Sequence, residues 1–122
     1  MNEVLFFFDT YAFFEIIRGN PKYEKYTGVV AITSIFNLAE LNYNLKKEMS
    51  EDRADQYVNE YASCLVEVDL VTLKKAMSFK NKHRALSIPD VIGYHLALKF
   101  KAKFLTGDEG FKNFENVEFV KK

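Results

Sequence analysis

The sequence predicts an α/β fold: a single domain with a central, mostly parallel sheet of about five strands and helices on both faces. Three observations predict it. Short β-rich runs alternate along the chain with segments of helical spacing, the pattern of βα units joined by right-handed crossovers. The first run, Val4–Phe8, is apolar throughout, as a strand covered on both faces is. The segment 88–101 carries Val91, Ile92, Tyr94, His95, Leu96, Leu98 and Phe100, apolar on more than one side, and is expected to be a buried helix.

Each element has a local reason. Residues 3–8 read as the first strand and 10–18 as an apolar helix closed by Gly19, with Gly19, Asn20 and Pro21 forming a turn and Pro21 lying in a loop. Val29–Thr33 is a second strand. In the helix over 34–49, Ile35, Leu38, Leu41 and Leu45 recur near helical spacing. Ser50 caps a helix over 51–63, whose first turn carries Glu51 and Asp52 where the helix dipole favours negative charge. Leu65–Val68 reads as the third strand, followed by helices over 70–84 and 88–101, the second with Pro89 at its start. Lys103–Thr106 is the fourth strand, Asp108–Phe114 a short helix, and Val117–Val120 the last strand.

Composition bounds the function. A chain of 122 residues fits one domain and buries roughly two thirds of its unfolded surface. With 48% hydrophobic and 28% charged residues it lies far from disordered compositions. The single cysteine, Cys64, can form neither an internal disulfide nor a zinc site alone, which points to a reducing cytoplasm. The Val4–Phe8 run is too short to span a bilayer and has no basic segment before it, so no membrane association is expected. Net charge is zero, so any nucleic-acid contact comes from local segregation of charge. Candidate basic clusters are Lys46 with Lys47, Lys74 with Lys75, the run Lys80, Lys82, His83 and Arg84, and the series Lys99, Lys101, Lys103, each equally readable as a solvated helix face.

In open α/β sheets the ligand crevice lies beyond the carboxyl ends of the strands. Asp9 closes the first strand and Asp108 follows the fourth, in the stretch Thr106, Gly107, Asp108, Glu109, Gly110. Each has a structural alternative as a helix N-cap. Asp90 has one too, because Ser87, Ile88, Pro89, Asp90 resembles a capping box. Glu40 sits inside an apolar helix, and Asn37, Glu40 and Asn44 fall at i, i+3 and i+7, a polar seam that suggests a pocket wall. Four converging carboxylates would raise one another's pKa values, and Mg²⁺ or Mn²⁺ would remove that cost while matching hard oxygen ligands.

Four stretches carry a resemblance: Phe8, Asp9, Thr10, Tyr11; Asn37, Leu38, Ala39, Glu40, Leu41; Ser87, Ile88, Pro89, Asp90; and Phe104, Leu105, Thr106, Gly107, Asp108. In this order the chain resembles the PIN-domain family over its whole length, and within it the VapC toxins of toxin–antitoxin pairs. The resemblance implies a PIN-like fold, a metal-binding quartet of Asp9, Glu40, Asp90 and Asp108, and a hydroxyl partner at Thr106, with Thr10 as a weaker supporting residue. Many relatives carry a further acid after the last aspartate; here only Glu109 is available for that place.

The same resemblance implies a Mg²⁺- or Mn²⁺-dependent endoribonuclease leaving 5′-phosphate and 3′-hydroxyl ends, a VapB-type antitoxin offering a basic residue to the acidic pocket, and a homodimer. The first helix, with Tyr11, Phe13, Phe14, Ile16 and Ile17, is apolar on nearly every side and expects another chain against part of it. Neither His83 nor His95 suggests metal-free ribonuclease chemistry; His95 reads as a hydrogen-bonded core residue. A phosphorylatable receiver domain would need acidic neighbours beside Asp9, and a dehalogenase-like phosphatase would need an aspartate where Tyr11 stands. A catalytically silent PIN-like interaction module and a general single-strand nuclease remain as alternatives.

Overall fold

The computed structural model describes residues 3–122. A parallel sheet of four strands runs in the order β2-β1-β3-β4, with β1 Phe6–Phe8, β2 Ala31–Ile32, β3 Lys103–Thr106 and β4 Val117–Phe119. The helices are α1 Thr10–Ile17, α2 Ile35–Leu45, α3 Glu51–Tyr61, α4 Leu70–Lys82 and α5 Ile88–Lys99.

Strand alternation divides the interior in two. Phe6, Phe8 and Leu105 face one core with Phe13, Leu38, Leu41, Leu45 and Tyr23. Phe7 and Phe104 stack on the other face, among Val91, Ile92, Leu96 and Phe111. A sheet covered on both sides explains why β1 is three phenylalanines without a polar residue. The segment now called α5 is buried at Val91, Ile92, Gly93, Tyr94, Leu96 and Ala97, in line with its unbroken apolar run.

The sheet has four strands where about five were expected. Leu65–Val68 does not form a strand: it makes a single parallel bridge, Thr33 to Leu65, in which the Val66 N–H donates to the Thr33 carbonyl at 2.9 Å. The neighbouring strand β2 is only two residues long and offers no ladder to extend, while Val66 and Val68 still pack into the second core. Pro21 lies not in a loop but at the start of a 3₁₀ turn, Pro21–Tyr26, capped by Asn20, whose side chain accepts from the Lys22 N–H. Its fixed φ and missing N–H suit a first helical position. The short helix after Asp108 is reduced to the 3₁₀ turn Glu109–Phe111.

Candidate active site

Register places the first pair of polar residues. In the parallel ladder Phe8 lies opposite Leu105, so the next residues, Asp9 and Thr106, emerge side by side at the carboxyl ends of the two central strands. The Asp9 N–H continues the ladder to the Leu105 carbonyl at 3.1 Å. The Thr106 hydroxyl then donates to Asp9 Oδ2 at 2.7 Å and accepts from the Asp108 N–H at 3.1 Å. One buried hydroxyl thereby fixes the carboxylate of Asp9 and the backbone of Asp108.

Asn37 supports Asp9 from the other side. Ser34 caps α2 by accepting from the Asn37 N–H, and its hydroxyl donates to Asn37 Oδ1 at 2.6 Å. The Asn37 amide is thus turned so that Nδ2 donates to Asp9 Oδ1 and to the Thr10 hydroxyl, both at 3.4 Å. Asp9, Asn37 and Thr106 are 2%, 0% and 0% exposed, so this network is shielded from water. Asn37 was legible only as part of the polar seam. The serine three residues before it was the available sign that its side chain is held.

The two other aspartates do cap, as their alternatives required. Asp90 Oδ2 accepts from the Ser87 N–H at 2.8 Å while Ser87 Oγ accepts from the Asp90 N–H, a complete capping box on α5. Asp108 Oδ1 accepts from the Gly110 N–H at 2.9 Å. Asp9 occupies the N-cap position of α1 yet makes no side-chain cap bond.

All four acids nevertheless face one cavity of about 410 Å³, lined by Asp9, Thr10, Tyr11, Phe14, Arg18, Glu40, Asn44, Glu48, Ser87, Asp90 and Asp108. Burial, then the charge of Asp90 and of Glu40, pushes the Asp9 carboxyl well above the usual carboxylate range, against the hydrogen bonds from Thr106 and the backbone. Asp90 is pushed up to about 6, chiefly by burial, with Asp108 and Glu40 adding to it against the bonds from Ser87. Mutual repulsion of this kind is what convergence of the acids produces.

The lining is rich in carboxylate oxygen and contains neither sulfur nor imidazole, a donor set that fits a hard divalent cation and not zinc or copper. Among the described residues, no three His, Cys, Asp or Glu side chains are already gathered closely enough to enclose an ion. Mg²⁺ does not require that, because it keeps several waters and takes one or two carboxylates. Glu109 does not line the cavity; it pairs with Lys121 at 2.7 Å on the surface. His95 places Nδ1 2.8 Å from the Val91 carbonyl, and His83 stacks on Phe79, so neither histidine reaches the acids.

The PIN-domain family model matches residues 6–117. Comparison with curated protein sequences finds no significant match. Among solved structures, a toxin–antitoxin complex from Klebsiella pneumoniae superposes with a TM-score of 0.76 at 15% identity, covering 96% of this chain and 99% of that one. DNA-bound VapBC from Salmonella typhimurium gives 0.73 at 15%, covering 97% and 98%. VapBC2 from Rickettsia felis, bound to a promoter DNA fragment, gives 0.68 at 17%, covering 97% and 98%. At these identities the likeness is one of fold.

Proposed function

This chain belongs to the PIN-domain family, and we propose that it is a VapC-type toxin: an endoribonuclease that holds Mg²⁺ or Mn²⁺ with Asp9, Glu40, Asp90 and Asp108. One observation carries the reading. Asp9 stands where a helix N-cap belongs, leaves that role unfilled, and turns its buried carboxylate toward three other acids.

The residues divide the work. Thr106 and Asn37 hold both oxygens of Asp9. One oxygen of Asp90 and one of Asp108 are taken by backbone donors, which fixes each carboxylate while its second oxygen is left for a cation. Glu40 adds charge from the wall of α2. A divalent ion, when bound, supplies the positive charge that makes water nucleophilic at neutral pH and stabilises the leaving oxygen. The neighbours' composition supports a VapB-type antitoxin as partner, with a basic residue competing for the acids. The first helix does not present the apolar face expected to meet another chain: Tyr11, Phe13, Phe14, Ile16 and Ile17 pack into this chain's own core, and none of them is among the exposed large hydrophobics. Val71 and Leu98, exposed beside one hollow between α4 and α5, support that face instead as the homodimer contact, which light scattering at micromolar concentration tests.

The deciding experiment is cleavage of single-stranded RNA by the purified chain in Mn²⁺, with the ends mapped. The expected products carry 5′-phosphate and 3′-hydroxyl ends, and Asp9→Asn abolishes them. Cyclic 2′,3′-phosphate ends persisting in chelator would overturn the proposal.

A further inference from the structure

Five of the residues lining the acidic cavity are carboxylates, Asp9, Glu40, Glu48, Asp90 and Asp108, and Arg18 is the sole cation among the described residues there. A divalent ion offsets part of this charge, but a polyanionic strand passing through still needs a cation for the phosphates that flank the bond being cut. Arg18 is placed for that. Its guanidinium lies 4.8 Å above the Phe14 ring centre, and its two terminal nitrogens bond Glu15 at 3.3 Å and Glu48 at 3.1 Å. Those bonds tie the group to Glu48 of the cavity lining and to Glu15 beside it, and use two of its five N–H donors. Its side chain is 45% exposed, so the other donors are within reach of a ligand.

Two aromatic rings complete the same face. Tyr11, Phe14 and Arg18 fall at i, i+3 and i+7, one stripe of α1 and its C-cap, and all three line the cavity. Tyr11 is held by the Lys122 N–H donating to its hydroxyl at 3.0 Å, and Gly107 leaves room for its ring, since a Cβ there would overlap it. At 1.5 Å rise per residue the stripe runs about 10 Å outward from Asp9, the length of roughly three stacked nucleotides.

We infer that this stripe is the track for the strand leading into the site: bases lie against the Tyr11 ring and the stacked Phe14–Arg18 pair, and a phosphate takes the free donors of Arg18. Aromatic rings accept any unpaired base but cannot reach bases stacked inside a duplex, so the track selects single-stranded nucleic acid. The inference rests on the nuclease reading of the cavity and names how its substrate is gripped.

The test uses the full chain carrying Asp9→Asn, so that binding is read without cleavage, and three probes: a fluorescent uridine oligoribonucleotide, an abasic ribose-phosphate oligomer of equal length, and an RNA duplex. Adding Phe14→Leu, which keeps the apolar contact and removes the ring, is expected to weaken uridine binding about tenfold and leave abasic binding unchanged. Adding Arg18→Gln is expected to reduce the slope of log affinity against log salt by about 0.7 on both single strands, while Arg18→Lys retains the slope. The duplex binds weakly to every variant. If Phe14→Leu affects both single strands equally, or if neither variant alters binding, the track does not exist and the rings serve a protein partner. Should Arg18→Gln fail to fold, the Phe14→Leu and Arg18→Lys comparisons decide alone. Failure of the nuclease reading shows separately, as a wild-type chain that cuts nothing in Mn²⁺ whatever the stripe binds.

Discussion

Asp9 gives up a capping bond of about 1 kcal/mol and accepts burial beside like charges, a local cost that a purely structural residue would not carry. That cost makes the metal-free protein pH-dependent in a definite direction. Asp9 and Asp90 have folded-state values raised above their unfolded ones, so the contribution of each is fully present below about pH 4 and is lost as pH rises through its folded-state value, which for Asp90 is about 6. The acids with lowered values, Asp69, Asp55 and Glu109, act at lower pH and leave this window clear. In chelator the chain is expected to lose roughly 2 kcal/mol between pH 4.5 and 7.5, allowing for partial solvent screening, and Asp90→Asn, which keeps an acceptor for Ser87, to flatten the profile. Urea melts across that range check it; stability rising with pH would contradict it. Thr106→Val, nearly isosteric, strips Asp9 and Asp108 of a shared partner, with an expected loss of about 1 to 3 kcal/mol in the same melts and of roughly tenfold or more in RNA cleavage. The acids were legible because strand ends and a glutamate in an apolar helix are visible in the chain. Asn37 and Arg18 were not assigned roles, because theirs come from hydrogen bonds and a helix face shared with residues far away in sequence.

The elements were legible wherever their signal is local. Ser34, Ser50, Asp69 and Ser87 cap the helices they precede, and apolar spacing marks α2 and α5. Pairing is not local, which is why Leu65–Val68, a sound strand by composition, contributes one bridge to a two-residue neighbour. Close approach is not local either. Gly93 lets α5 settle onto the sheet: a Cβ there would stand 2.7 Å from the Phe7 ring and 3.2 Å from that of Phe104. Gly93→Ala is therefore expected to push α5 outward and cost about 1 to 3 kcal/mol, despite alanine being the better helix former. Because Asp90 sits one turn earlier on α5, Mn²⁺ affinity falls with stability. Thermal melts and Mn²⁺ titration of the same variant check both, and an unchanged melting temperature would show that the rings yield.

At the scale of the whole molecule, the strand order β2-β1-β3-β4 makes β1 and β3 neighbours although nearly a hundred residues separate them, and so sets Asp9 beside Thr106. The rule that ligands bind beyond the carboxyl ends of strands could be applied to the sequence; the order of the strands could not. On the proposed reading, convergence of the acids couples folding to cation binding. A cation bound only by the folded chain stabilises it by about 2.7 kcal/mol at a hundred times its Kd, which for a domain of 122 residues raises Tm by roughly 10 °C. Mn²⁺ or Mg²⁺ is expected to produce such a rise at pH 7.5 and chelator to reverse it. At pH 5 the rise shrinks, because Asp90 with its value near 6 is then protonated and the ion must displace its proton. Asp9→Asn removes most of the rise at both pH values, since it withdraws the carboxylate on which Thr106 and Asn37 converge. Scanning calorimetry of both proteins, with and without Mn²⁺ at the two pH values, gives all four quantities; a rise that ignores pH and survives Asp9→Asn would place the ion elsewhere on the molecule.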